Sequence, residues 1–301
     1  VETVLRLRGV TKRFGDRVAV DGLDLEIPRG CIYGFLGQNG AGKTTTIRMI
    51  MSILMPDEGS IEVLGHPDAL AVKDRLGYLP EEKGLYKKMR TGELIAYFGR
   101  LKGLTAHEAK TRARRLLDRF GLGAWHDKKC EALSKGMGQK VQILATLIHD
   151  PELIILDEPF SGLDPVNQDV LRGLMEDLRT QGKTVIFSTH VMAHAEQLCD
   201  SVFLIHHGKK LANGPLEEVL AVDEETIQLE FTGDASVVQS LWGVREVREG
   251  EGGTEILLEP GTDPQEILRQ LVGRVTIRRF DLRRPSLHDF FVRVVGPDIT
   301  P

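Results

Sequence analysis
Apolar positions fall in short unbroken runs and in helical stripes that alternate along the chain. Residues 4–8 (VLRLR) alternate apolar and charged, the period of a half-exposed strand. Strands at 17–20 and 23–27 follow, punctuated by Asp21-Gly22 and Pro28-Arg29-Gly30, so the spacing predicts antiparallel strands joined by tight turns. Residues 31–36 (CIYGFL) form a short apolar run with the look of a buried strand. Residues 45–53 then place Ile47, Ile50 and Met51 on one side of a helix. A turn at Pro56-Asp57-Glu58-Gly59 leads to a strand at 61–64, and a short strand and loop occupy 77–82. From 91 to 150 the pattern is almost wholly helical. Thr105 with Glu108 has the form of a capping box, opening an amphipathic helix through Leu116, Leu117 and Phe120 that Gly121 and Gly123 end. Ser134 is a natural N-cap for a helix over 138–148.

Residues 153–156 (LIIL) are apolar without alternation, the mark of a strand buried on both faces of a parallel sheet. Asp164 and Pro165 suit the N-cap and first position of a helix running to 180. A strand over 184–188 ends in Thr189-His190, a helix covers 191–199, and a strand covers 202–205. His194 and the turn His206-His207-Gly208 read as solvated. The parallel-sheet pattern stops near 220. Beyond it come strand 226–231, helix 235–242, strands 244–247 and 255–258, helix 265–272 and strand 275–280. That β-α-β-β-α-β order predicts a small ferredoxin-like α+β domain. A last helix begins at Ser286 with Leu287, Phe290, Phe291 and Val294 on one face, read as a packing or dimer-supporting element. Two domains are expected, 1–222 and 223–301, with a helical subdomain at about 84–150 of the first.

Chemistry concentrates where the apolar runs end. Gly37-Gln38-Asn39-Gly40-Ala41-Gly42-Lys43-Thr44 fits the P-loop pattern and stands between a strand and a helix, the context that pattern requires. Glycines let successive N–H groups turn inward, and the helix N-terminus adds partial positive charge. Gly37, Asn39, Gly40, Ala41, Gly42, Lys43, Thr44 and Thr45 are therefore the candidate phosphate-binding residues for ATP. Lys43 would reach the β- and γ-phosphates, and the Thr44 hydroxyl would ligate Mg²⁺. Asp157-Glu158 ends the 153–156 strand, and ligands of parallel sheets bind at the carboxyl ends of strands. Asp157 is expected to hold Mg²⁺ through water, and Glu158 to orient or deprotonate the attacking water. His190 ends another strand and is a candidate donor to the γ-phosphate. Phe14 precedes the P-loop and either stacks on adenine or belongs to a strand core. Ser134 and Gly136 at a helix N-terminus make a second candidate anion site.

A length of 301 residues, 28% charged and 41% apolar, fits a soluble globular chain of two domains. The net charge of −5 disfavours a broad nucleic-acid surface, so no nucleic acid is expected as a partner. Cys31, Cys130 and Cys199 are odd in number and scattered, which predicts a reducing compartment without a disulfide framework. The alternating, charged start does not read as a signal peptide, and no apolar run approaches the ~20 residues of a membrane helix. Work at a membrane would need another chain to supply the spanning part.

Residues 37–44, 133–137 (LSKGM), 156–159 (LDEP), 161–164 (SGLD) and His190 occur in the order of Walker A, signature, Walker B, D-loop and switch histidine of an ABC-type ATPase. The chain resembles that family over about residues 2–222. Residues 285–296 (PSLHDFFVRVVG) resemble the C-terminal signature of ATPase subunits of ABC-2-type exporters, where drug-exporter and sodium-extrusion ATPases belong. The resemblance implies an α/β P-loop NTPase fold of ABC type: a RecA-like core, an antiparallel β subdomain and a helical subdomain. It implies ATP hydrolysis coupled to transport and an ATP-dependent head-to-tail homodimer burying two ATPs. It also implies a separate ABC-2-type permease that holds the chain on the inner face of the membrane. Two positions depart from the family pattern. Glu81 stands where a Gln usually follows Gly-Tyr-x-Pro and would be a carboxylate ligand for Mg²⁺. Met137 and Lys135 replace Gln and Gly of the signature, so its phosphate contacts are expected to rest on Ser134 and backbone N–H groups. The competing expectation is a non-transport ABC ATPase acting on a ribosome, DNA or a regulatory partner. A single motif set without sustained heptads or a basic tract disfavours it.

Overall fold
A computed structural model describes residues 2–81, 84–220, 226–250, 253–259, 261–283 and 286–296. The chain separates into two compact units, Val1–Leu216 and Glu217–Pro301. The boundary expected at 222/223 lies outside the described residues, as does Pro285 of the C-terminal signature.

The first unit opens with two long antiparallel strands, β1 (Thr3–Phe14) and β2 (Arg17–Pro28). The sequence suggested several short strands here. Gly9 and Gly22 do not break them: they sit at register shifts where bulges bend one continuous ribbon. β3 (Ile32–Leu36) leads into helix α1 (Lys43–Ile50), which starts two residues earlier than the periodicity placed it. β4 (Glu58–Val63) completes a three-stranded sheet in the order β2-β1-β4. After β5 (Leu76–Leu79) come α2 (Thr91–Leu101), α3 (Ala106–Arg119) and α4 (Lys135–Leu147), which share an apolar core around Ile95, Leu117, Val141 and Leu144. The capping box of Thr105 and Glu108 is formed. The 91–150 stretch is less helical than its pattern suggested, because α3 and α4 are separated by two isolated 3-10 turns, Gly123–Trp125 and Cys130–Ala132.

The central sheet adds β6 (Leu153–Leu156), α5 (Pro165–Thr180), β7 (Thr184–Thr189), α6 (Met192–Glu196), β8 (Ser201–His206) and β9 (Lys209–Pro215). Its order is β5-β6-β7-β3-β8-β9, parallel except for β9. β9 was not anticipated: only its turn was legible, since its residues carry little apolar signal. Every residue of β3, β6 and β7 is buried, as continuous apolar runs require in a sheet covered on both faces. Register then decides what meets at the rim. Leu156 pairs with Phe187 and Leu36 with Thr189, so Asp157 emerges beside Ser188 and the P-loop beside His190.

Helix α7 (Leu216–Leu220) follows β9. The second unit continues with β10 (Thr226–Thr232), α8 (Ser236–Gln239), β11 (Val244–Gly250), β12 (Gly253–Leu258), α9 (Pro264–Leu271), β13 (Thr276–Arg283) and α10 (Leu287–Val295). The four strands form an antiparallel sheet ordered β11-β12-β10-β13, with Ile227, Leu229, Ile256 and Ile267 among its core residues. This is the βαββαβ arrangement that the sequence pattern predicts. Leu287, Phe290 and Phe291 of α10 are buried, and Ser286 caps the helix.

Candidate active site
The P-loop wraps the start of α1 so tightly that side chains are excluded at Gly37 and Gly42. A Cβ on Gly37 would stand 2.3 Å from the Ile205 carbonyl oxygen, and one on Gly42 would stand 2.6 Å from that of Ala19. Lys43 follows and is 5% exposed. Its ammonium donates back to the loop, to Gly37 O at 2.6 Å and Gln38 O at 3.1 Å, and lies 3.7 Å from Glu158 Oε1. Burial lowers the Lys43 pKa, opposed by the carboxylates of Glu158, Asp157 and Glu81. The cation is thus held in a partly dry niche by oxygen acceptors.

Asp157 is fully buried, and burial raises its pKa against the hydroxyls of Ser188 and Thr44. Its Oδ1 accepts from Ser188 Oγ at 2.5 Å and from Thr44 Oγ1 at 3.4 Å. Its Oδ2 is buried and is one of few such atoms without a hydrogen-bond partner among the described residues. An unpaired buried carboxylate oxygen is costly, and a cation beside the Thr44 hydroxyl would satisfy it. On that ground the residues fit a hard divalent ion.

Glu158 takes left-handed backbone, φ 47°, unusual for a residue with a Cβ. This turns its carboxylate toward His190, whose Nδ1 is 3.0 Å from Oε1. A carboxylate only accepts, so Nδ1 donates and Nε2 is the ring atom left to face outward.

Lys43 and Glu158 open on a cleft of about 520 Å³ whose lining also brings together Phe14, Asn39, Gly40, Gly42, Thr44, Thr45 and Glu81, while Asp157 and His190 stand behind that lining, in contact with Thr44 and Glu158. Phe14 is 52% exposed there, not a strand-core residue. Gly37 and Ala41 shape the loop behind the lining: the Ala41 carbonyl accepts from Gly208 N at 2.9 Å. Ser134 and Gly136 do not line this cleft. Ser134 caps α4, its Oγ accepting from Met137 N at 3.3 Å, and Gly136 lies against Asn167 of α5.

Of the positions expected to be solvated, His194 and Gly208 are not. His194 is half-buried, its ring 4.5 Å from that of Phe160, with a buried Nδ1; burial lowers its pKa. Its helical position turns it inward onto the segment after Glu158. In the turn His206-His207-Gly208, His207 is exposed as expected and His206 half-buried, whereas Gly208 is buried where its N–H donates to the Ala41 carbonyl of the P-loop.

Residues 20–161 match the family profile described as ABC transporter, and residues 214–295 match that described as ATP-binding protein DrrA1-3-like, C-terminal domain. The uncharacterized ABC transporter ATP-binding protein YhaQ of Bacillus subtilis is 42% identical over 97% of this chain and 99% of its own length. The chain belongs to the ABC transporter ATP-binding family. Another member, the Nod factor export ATP-binding protein I of Sinorhizobium fredii, is 34% identical over 99% of this chain and 88% of its own. A solved structure described as the ATP binding subunit of an ABC transporter superposes with a TM-score of 0.67 at 31% identity, covering 73% of this chain and 93% of that one. The fold is accordingly that of a P-loop ABC ATPase with a DrrA-like C-terminal domain.

Three residues at or beside the cleft lie outside the motifs. Arg17 and Ala19 line the cleft from β2, where nothing in a strand pattern marks them. Ser188 lies between the two acids and the P-loop, and its signal was a lone hydroxyl closing an otherwise apolar strand.

Proposed function
We propose that this ABC subunit hydrolyses Mg-ATP in the cleft and so powers export through a separate ABC-2-type membrane permease. The observation that carries the reading is the meeting of Lys43, Asp157, Glu158 and His190 at one rim of the sheet. Phe14 offers a face to adenine, and the P-loop N–H groups with Lys43 take the phosphates. Lys43 exchanges its loop carbonyls for phosphate oxygens, a swap of acceptors that leaves the buried cation satisfied throughout. Thr44 and Asp157, with Glu81 at the cleft wall, would hold Mg²⁺, which when bound neutralises developing phosphate charge. Glu158 orients and deprotonates the attacking water, and His190 holds that carboxylate through Nδ1 while its Nε2 faces the γ-phosphate.

Ser134 and Gly136, which do not line this cleft, act on the nucleotide of a second protomer in a head-to-tail homodimer. Relatives named for transport, one for Nod factor export, support an exporter subunit over a ribosome-, DNA- or regulator-directed ATPase. Among the described residues no helix is long and apolar enough to cross a membrane, which supports a peripheral place beside a permease on the cytoplasmic side.

Glu158→Gln keeps size and loses the base. Turnover is expected to fall by about 10²- to 10⁴-fold with ATP binding retained. Light scattering should then show an ATP-dependent dimer, which a further Ser134→Arg change abolishes while each monomer still binds ATP. Normal turnover in Glu158→Gln refutes the catalytic assignment, and loss of monomer ATP binding in Ser134→Arg refutes the shared site.

A further inference from the structure
Ser188 is fully buried in the parallel sheet, the second-last residue of β7 and two positions before His190. A hydroxyl at such a position costs stability unless both its donor and acceptor capacities are used. Here both are, and they join the two acids that follow β6. Ser188 Oγ accepts the backbone N–H of Glu158 at 2.9 Å and donates its proton to Asp157 Oδ1 at 2.5 Å.

Two consequences follow from that single atom. The bond to Oδ1 fixes the rotation of the Asp157 carboxylate, so that Oδ2 is the buried oxygen left unpartnered. The bond from the Glu158 N–H anchors a residue in left-handed backbone, from which its side chain reaches His190 Nδ1 and the vicinity of Lys43 Nζ. The acceptor and donor roles are coupled: the proton that Ser188 gives to Asp157 is directed there because its lone pair is engaged by Glu158. Register makes this possible only at position 188, since Leu156 is opposite Phe187.

We propose that Ser188 is a positioning residue that presents Asp157 Oδ2 to the divalent metal of bound nucleotide and holds Glu158 in place for it. The inference rests on the reading that this cleft binds a metal–ATP complex. It differs from a packing role in one respect. A serine that only fills space would affect stability and all ligands alike, whereas a hydroxyl that aims one carboxylate affects the metal far more than the nucleotide.

The test uses the full chain, with Mn²⁺ as the probe, titrated by electron paramagnetic resonance in the presence of ATP. Metal-free ATP binding is measured in parallel by calorimetry. Replacing an outer partner of a metal ligand weakens metal binding by about 10- to 100-fold, the range expected for Ser188→Ala. Metal-free ATP affinity should stay within about twofold of wild type, since Ser188 touches the acids and not the P-loop. Ser188→Thr, which restores the hydroxyl, should recover Mn²⁺ binding. If Ser188→Ala does not fold, Ser188→Cys, which keeps the volume and weakens the donor, carries the same comparison. A folded Ser188→Ala or Ser188→Cys protein with wild-type Mn²⁺ half-saturation overturns the proposal. So does an equal loss of metal-free ATP binding. If the wild-type chain binds ATP but no Mn²⁺ with it, the metal-site reading itself is overturned, an outcome distinct from the other two.

Discussion
Gly208 and Gly182 form a matched pair that isolates what the β8–β9 turn does for the P-loop. Both take left-handed backbone, at φ 78° and 77°. An alanine at either position therefore meets the same local strain, about 1–2 kcal/mol. Their surroundings differ. A Cβ on Gly182 meets nothing within 4 Å, whereas one on Gly208 would lie 2.9 Å from Ala19 O, 3.1 Å from Ala19 C and 3.2 Å from Val20 Cα. All three are main-chain atoms, so no side chain can rotate aside and the turn must retreat. Retreat breaks the 2.9 Å bond from Gly208 N to Ala41 O inside the P-loop, and Ala41 is only 4% exposed. A buried carbonyl left without its donor costs about 1–3 kcal/mol. Gly208→Ala is thus expected to lose about 2–5 kcal/mol in urea unfolding and Gly182→Ala about 1–2 kcal/mol. Because the broken bond belongs to the phosphate loop, ATP affinity by calorimetry should fall about 5- to 30-fold in Gly208→Ala and hold in Gly182→Ala. Equal stability losses together with equal ATP affinities would refute the bracing role.

Lys43→Ala removes a charge-assisted contact worth about 1.5–3 kcal/mol, so ATP should bind roughly 10- to 150-fold more weakly in calorimetry, with turnover lost. Wild-type affinity in that variant would refute the P-loop assignment. A pH effect should come from Glu152, whose carboxylate accepts from Arg75 at 2.5 Å and from Arg29 at 2.9 Å. Arg75 first, then Arg29, hold its pKa down from 4.5 to about 2, so the stabilisation is present above pH 4.5 and is lost as pH falls toward 2. Thermal unfolding from pH 6 to pH 3 should therefore decline more steeply in wild type than in Glu152→Gln, and parallel curves would refute the contribution.

How far the sequence reveals the site follows from where each contact is encoded. The P-loop, Asp157 and Glu158, and His190 were legible because each ends an apolar run, and in a parallel sheet all such ends share one rim. Their partners were not, because those contacts depend on register. Whether Ser188 faces Asp157 or the opposite side of the sheet turns on Leu156 pairing with Phe187 and not with a neighbour, and one residue of slip would reverse it. Phe14 was recognisable as an aromatic but not as an exposed one, since a strand end and a strand core have the same composition. His194 is hard to place for a related reason: a histidine on a helix carries no sign of which face is covered until the aromatic beneath it, Phe160, is placed by the turn that follows β6. The βαββαβ unit was the easiest part to read, because antiparallel strands with one buried face alternate in sequence and need no long-range register to be recognised. The same asymmetry explains why β9 was missed. An edge strand needs little apolar surface of its own, and this one is held by backbone pairing to β8, while the turn that begins it reaches the P-loop through the main chain of Gly208. A contact made by backbone atoms leaves no side-chain pattern to find, only a glycine whose missing Cβ lets it form.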